Sequence, residues 1–215
     1  YEIIEKFKGK KLEGKKYKPL FDYYQNVKLE NFENGWKIYS ASFVNSQEGT
    51  GIAHEASAFG EEDMELAKEK KLPFIQHVSM DGRFKKEVRD FFGLEVKPKD
   101  DPTRADVEII KYLAKKNLVF KKEKYEHSYP HCWRCESPLL NYATNSWFVA
   151  VTKIKDKMLK LAEKIEWIPS HIKEGRFGNW LEGSRDWAIS RQRFWGSVMP
   201  IWECECGERK VFGSI

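Results

Sequence analysis

The run Gly49-Thr50-Gly51-Ile52-Ala53-His54-Glu55-Ala56-Ser57-Ala58-Phe59-Gly60-Glu61-Glu62-Asp63 gathers residue types that build a small ligand pocket. Glycines let a backbone approach a ligand closely. His54 stands at the end of an extended segment and Asp63 at the start of a helix, so both can face one loop-built hollow. The partial positive charge of a helix N-terminus favours a carboxylate at Asp63, and a fixed carboxylate can anchor a ligand ammonium. Both residues also have plain structural uses. A histidine beside a strand often belongs to a core, and an acid in a helix's first turn is often a cap. The sequence contains no GxSxG elbow, no P-loop and no HExxH helix, which argues against the corresponding hydrolase, nucleotide-binding and metalloprotease chemistries.

The four cysteines fall in two close pairs, Cys132-x-x-Cys135 and Cys204-x-Cys206. Two thiols on one tight turn supply half of the four ligands that zinc takes. Cys204 and Cys206, with Gly207 to free their turn, can supply the other half. The alternative is two unpaired thiol pairs in a reduced protein. Such spacing suits metal ligation better than disulfides and points to a reducing, cytoplasmic setting. The Pro130-His131 flank does not resemble a βαβ context, so a redox role for the first pair is disfavoured.

The densest stretch runs from His171 to Trp202, where arginines such as Arg176, Arg191 and Arg193 interleave with Phe177, Trp180, Trp187 and Trp195. Such interleaving can hold phosphates and stack on bases. It can equally be a core in which guanidinium groups pair with Glu182 and Asp186. Chemistry alone favours neither.

The elements that must carry these residues follow from charge order and periodicity. Residues 1–35 read as short strands and loops, and residues 36–44 as a strand. Gly49-Thr50-Gly51 breaks that pattern before residues 52–54 resume an extended course. Acids first and lysines last predict a helix from Glu61, followed by a strand at residues 73–78 and a turn at Asp81-Gly82. Asp101-Pro102-Thr103 opens a second helix that ends near Asn117, with Val107, Ile110, Leu113 and Ala114 on one face. A third helix is predicted over residues 153–164. Composition shifts near residue 125, where aromatics, histidines and cysteines begin to crowd. The expected class is α/β.

With 215 residues, the chain can hold one large or two small domains. Its 14% aromatic content argues against disorder. The excess of 38 basic over 33 acidic residues is too small to indicate nucleic-acid binding by itself. No apolar run approaches the roughly 18 residues of a membrane span, and nothing resembles a signal peptide. The chain opens at Tyr1 and closes at Ile215 without an initiator or an obvious tail, and it reads as an internal piece.

Several of these motifs together resemble a known family. Residues 176–202 closely resemble a stretch of the isoleucyl-tRNA synthetases, through Asn179-Trp180-Leu181, Asp186-Trp187, Ile189-Ser190-Arg191 and Trp195-Gly196. His127-Ser128-Tyr129-Pro130 with the following Cys-x-x-Cys, and Ser146-Trp147-Phe148-Val149, are similar to the same family. The Gly49-to-Asp63 run resembles the signature of the editing domain shared by isoleucyl, valyl and leucyl enzymes. The likeness covers nearly all the chain and is weakest over residues 1–35. A valyl enzyme is the nearest competitor, since it shares the Asp-Trp-x-Ile-Ser-Arg-Gln run, but residues 173–181 resemble the isoleucyl pattern. A non-catalytic zinc- and RNA-binding module is the reading from another class.

The resemblance implies a fold and a task. Residues 1–125 would be the later portion of a β-rich editing domain. Residues 126–215 would be a connector and the start of the second half of a Rossmann-type catalytic domain. The parent would attach isoleucine to tRNA(Ile) with ATP and Mg2+, in the cytoplasm and as a monomer, with Zn2+ as a further metal. A pocket discriminates against one missing methylene by only about 1–3 kcal/mol, the established figure for isoleucine against valine, so a second site must hydrolyse valyl-tRNA. In the family, the aspartate at the position of Asp63 holds the amino group of the misplaced ester. The histidine at the position of His54 helps distinguish valine from isoleucine, and the Thr50 region lines the same pocket. No side chain resembles a covalent nucleophile, so attack by water on a positioned ester is expected. The family's threonine-rich loop and both ATP-binding signatures are missing from these residues. Ser57 stands where the family has proline, and Cys204-x-Cys206 is one residue shorter than the family's pair. In the family the two cysteine pairs belong to different zinc sites, so each pair here would be half a site.

Overall fold

The computed structural model describes residues 2–45, 50–191 and 196–214. Gly49, Arg193 and Trp195, quoted above, lie outside them.

Charge order positions the first helix as expected. Glu61, Glu62 and Asp63 fill the first turn of α1 (Glu61–Lys70), and Lys68 and Lys70 the last. Carboxylates thus meet the positive end of the helix dipole and ammonium groups the negative end. Lys71 stops the helix in the left-handed region, at φ 51°. Leu66 and Ala67 are its buried residues. The second helix, α2 (Arg104–Lys115), also starts and ends where the sequence indicates. Asp101 Oδ1 accepts from the Thr103 amide at 3.2 Å and from its hydroxyl at 2.8 Å just ahead of the helix. Asn117, at φ 58°, turns the chain away after it.

The buried face of α2 differs from the expected one. Ala105 is the helix's buried residue, and Ile109 and Tyr112 pack beside it. Val107, Ile110 and Leu113 are only half-buried, and Ala114 is exposed. The small Ala105 side chain admits the aromatic layer, and Tyr112 then meets Phe91 at 5.3 Å and Phe21 at 5.8 Å between ring centroids. The core comprises Val78, Phe84, Val88, Phe91 and Ala105, with Phe59, Leu140 and Tyr142 partly buried against it. Each large apolar side chain enclosed there contributes about 1.5–3 kcal/mol.

Residues 36–44 and 73–78 do not form the strands expected of them. Among the described residues of the first unit, sheet pairing is confined to the isolated bridges Lys16↔Lys37, Val78↔Phe84, Arg83↔Glu95 and His131↔Pro138. Residues 52–54 likewise form no strand. Trp36 sits at φ 51°, which breaks an extended course at its start, and Pro73 has no amide to donate. The Asp81-Gly82 turn is present, with Gly82 at φ 78° and its amide donating to Ser79 O at 3.0 Å.

Composition changes near residue 125, but packing continues further. The Tyr142 hydroxyl donates to Val78 O at 3.2 Å, Gln76 Nε2 to Ala143 O at 2.8 Å, and Ala143 N to Ala58 O at 2.9 Å. These bonds tie the aromatic segment to the first core. The chain accordingly divides into units at residues 1–143 and 144–215.

The second unit pairs β1 (Phe148–Val149) with β2 (Trp187–Ala188) and β3 (Ile201–Glu203) with β4 (Arg209–Val211), both antiparallel. The predicted third helix is α3 (Lys155–Ala162), preceded by a 3-10 turn at Val151–Lys153. It packs on α5 (Arg176–Glu182), which follows the single turn α4 (His171–Glu174). Leu181 on α5 is 2% exposed, and Trp167 meets Phe177 at 4.6 Å beside it. Asp186 Oδ1 is engaged by the Thr152 amide and hydroxyl at 2.9 and 2.7 Å. Arg191 donates to the carbonyls of Ala188 and Ser190, both at 2.8 Å. Helices and small antiparallel sheets together give a mixed α/β architecture.

Candidate functional site at the start of α1

Asp63 does not cap its own helix. Its Oδ1 reaches back to accept from Ala56 N at 2.8 Å, and the N-cap residue of α1, Gly60, has no side chain to cap with. That bond closes residues 56–63 into a loop held by one carboxylate. Gly60 makes the closure possible, because a Cβ there would lie 1.7 Å from Asp63 Oδ2. The glycine is needed for close approach and not for its backbone, which is extended at φ −148°. Ser57 adds a second tie, its hydroxyl donating to Pro73 O at 3.2 Å. Phe59 N donates to Ala56 O at 2.8 Å within the loop, and Ala58 is buried beneath it at 1% exposure.

Glu55, which the sequence reading passed over, is the second acid of this site. Burial first, then the nearby Asp63 carboxyl and the negative charges of Asp63 and Glu62, push its carboxyl up to about 7. Its Oε2 is out of water and has no hydrogen-bond partner. The signal was available in the sequence: an acid just before the loop that Asp63 closes, with a glycine where a side chain would keep them apart.

His54 is exposed and precedes Glu55 directly. Neither a hydrogen bond nor an ion pair joins it to Asp63 among the described residues. It acts instead on His77, whose imidazole is pushed toward the neutral form by burial first and then by the charges of His54 and Lys85. His77 meets the Phe59 ring at 4.7 Å, so the histidine on which the His54 charge acts lies against the loop that Asp63 closes. Thr50 is exposed and turns on itself, its Oγ1 donating to Ile52 O at 3.2 Å and accepting from Ile52 N at 3.3 Å. Neither hydroxyl here meets a base, since Ser57 and Thr50 both donate to carbonyls. The arrangement can hold a cation and lacks an activated nucleophile.

The cysteines occupy two tight turns. Cys132 N donates to Ser137 O at 2.9 Å and Glu136 N to Cys132 O at 2.7 Å, with Glu136 at φ 60°. Cys135 Sγ lies 3.4 Å from Ser137 Oγ. The Ser137 hydroxyl and amide, then Cys132, then the Lys99 charge pull the Cys135 thiol down to about 7. In the second unit, Cys204 N donates to Glu208 O and Gly207 N to Cys204 O, both at 2.8 Å, in the turn between β3 and β4. Cys206 N approaches Cys204 Sγ at 3.4 Å, and that neighbour lowers the Cys206 thiol. Zinc takes four ligands. Among the described residues no group of three potential ligands gathers at one point, so each turn offers two donors and no reaction step is assigned to a metal.

The family profile described as tRNA synthetases class I (I, L, M and V) matches residues 24–214. The chain is 47% identical to the isoleucine–tRNA ligase of Treponema denticola over 100% of its length. It is 47% identical to that of Chlamydia pneumoniae and 44% identical to that of Clostridium tetani, again over 100% of the chain. It spans 20% of the length of each of these relatives. Among the described residues no helix is long and apolar enough to cross a membrane. The chain belongs to the class I tRNA synthetases, and within that family its similarity is to isoleucine–tRNA ligases.

Proposed function

We propose that this chain is a segment of an isoleucine–tRNA ligase and carries the amino-group anchor of its proofreading site. The parent attaches isoleucine to tRNA(Ile) with ATP and Mg2+ and clears valyl-tRNA. It works in the cytoplasm as a monomer. Residues 1–125 belong to the editing domain, and residues 126–215 connect it to the second half of a Rossmann-type catalytic domain. The ATP-binding signatures are not among these residues, so no adenylation step is assigned to them. The cysteine pairs would each give two thiolates to a Zn2+ completed by ligands beyond the pair. The valyl and the non-catalytic zinc-binding readings are not favoured by similarity over the whole chain to isoleucine–tRNA ligases.

One observation carries the reading. The Asp63 carboxylate is fixed by the Ala56 amide, with Gly60 leaving room for its second oxygen. A carboxylate held this way binds an ammonium without first losing side-chain freedom. Asp63 grips the α-ammonium of the valyl ester, His54 borders the side-chain pocket and limits its size, and Thr50 lines the approach. Water then attacks an ester held in place, since neither Thr50 nor Ser57 is paired with a base.

The test is Asp63→Ala in the full-length enzyme. Valyl-tRNA should accumulate, with deacylation falling by two orders of magnitude or more, while aminoacylation with isoleucine changes little. Wild-type deacylation in this variant removes Asp63 from the mechanism.

A further inference from the structure

Glu55 plays no part in the reading above, yet it is the side chain that Asp63 meets. It immediately precedes Ala56, whose amide donates to Asp63 Oδ1 at 2.8 Å, and its carboxyl lies within hydrogen-bonding reach of the Asp63 carboxylate. Glu55 Oε2 is buried without a donor. Two ionised carboxylates cannot satisfy each other, because each only accepts. A proton on Glu55 resolves the conflict, giving Asp63 a second donor.

The groups around Glu55 reinforce this. The charges that act on it are those of Asp63 and Glu62, both on α1 and both negative. No cation of the described residues is among the charges that act on it, and His77, on the 73–78 segment tied to the loop through the Ser57–Pro73 bond, is itself pushed toward neutrality by burial and then by the charges of His54 and Lys85. His54, on the same segment as Glu55, is exposed.

We propose that Glu55 is a positioning residue for Asp63: in the empty site it donates a hydrogen bond to the Asp63 carboxylate, and it releases that proton when a ligand ammonium arrives. This rests on Asp63 being the ammonium anchor. The balance is simple. A protonated Glu55 and a free R–NH3+ become an ionised Glu55 beside a bound R–NH3+, and one proton passes to solvent. No bond of the ligand breaks in this step. The cation offsets the repulsion that the proton had relieved. Glu55 therefore keeps Asp63 oriented without a ligand and doubles the negative charge once one is bound. The ligand class is a primary ammonium, as in an aminoacyl ester, whose amine is still charged below the α-amino range of about 7.7–8.0.

The experiment is steady-state deacylation of valyl-tRNA by the full-length enzyme between pH 5.5 and 7.5, as wild type, Glu55→Gln and Asp63→Ala. Release of one proton per ligand makes the wild-type KM fall about tenfold per pH unit until Glu55 ionises, then level off, with kcat following less. Glu55→Gln keeps a donor to Asp63 but has no proton to release, so its KM should stay flat across the same range. A Glu55→Gln enzyme with the wild-type slope overturns the inference and leaves Asp63 as anchor. An Asp63→Ala enzyme that deacylates normally overturns the underlying reading instead. Carboxyl carbon NMR on the wild-type chain gives an independent answer. One glutamate should titrate near neutrality and move down in Asp63→Asn, whereas glutamates all titrating in the ordinary range refute the shared proton.

Discussion

Replacing Gly60 by alanine puts a methyl group where Asp63 already is. The added Cβ would lie 1.7 Å from Asp63 Oδ2 and 2.8 Å from its Cγ, so the carboxylate must swing away. Doing so leaves Ala56 N–H without its acceptor, held at present at 2.8 Å. A hydrogen bond to a charged group is worth about 1.5–3 kcal/mol. Alanine is also a poorer N-cap than glycine, by up to about 1 kcal/mol. The sum for Gly60→Ala is about 1.5–4 kcal/mol in the first unit. In an Asp63→Ala background the collision disappears, since what remains is the Cβ contact at 3.4 Å. The penalty there should drop below about 1 kcal/mol, a coupling of about 1.5–3 kcal/mol in a double-mutant cycle. Urea unfolding read through amide exchange of α1 measures all four corners. Equal penalties in both backgrounds would refute the claim that Gly60 exists to make room for Asp63.

Three further outcomes follow. Glu55, held up to about 7 against an ordinary 4.5, binds more protons folded than unfolded across that interval, so first-unit stability falls as pH rises through it. His77, held below its usual 6.5, works in the opposite sense just under that value. The readout is therefore the difference between wild type and Glu55→Gln in urea midpoint at pH 5 and pH 7.5, and parallel profiles would contradict the shared proton. Alkylation of Cys135 by iodoacetamide should be half-maximal near pH 7 and shift to higher pH in Ser137→Ala; an unmoved profile would remove Ser137 as the cause. Phe91→Ala should cost about 3–5 kcal/mol and strip amide protection from α2, because Phe91 joins Phe84, Tyr112 and Phe21 in one aromatic layer. Unchanged protection of α2 would show that the layer is not what holds it.

Helices α1, α2 and α3 were legible in the sequence because their signals are local, whereas α4 and α5, inside the stretch from His171 to Trp202, were not assigned. Glu61 through Lys70 carries its dipole complement in its own residues, and Asp101-Pro102-Thr103 marks the entry to α2 without outside help. Strands were not legible in the same way. Residues 36–44 and 73–78 have strand-forming side chains, but a ladder needs a partner over several residues, and here each segment meets one bridge. The α2 face was misassigned because scoring by hydrophobicity favours Val107, Ile110 and Leu113. The contact surface is chosen instead by a small residue, Ala105, and by the stacking of Tyr112. At the site, Asp63 and its place in the first turn could be read, but its partner could not. The bond to Ala56 and the encounter with Glu55 depend on how residues 56–63 close in space, which no spacing rule encodes.

The contrast between Val78, Phe84, Val88 and Phe91, closed in around Ala105, and a second unit in which Leu181 is the one described side chain to reach full enclosure has a bearing on biogenesis. Trp180, Trp187 and Trp202 stay more than 60% exposed there. A ribosome delivers the earlier residues first, so the portion able to secure its own interior emerges ahead of the portion that is not. Nascent chains long enough for residue 143 to have left the ribosome should resist protease across the first core, because the bonds of Tyr142 and Ala143 close it.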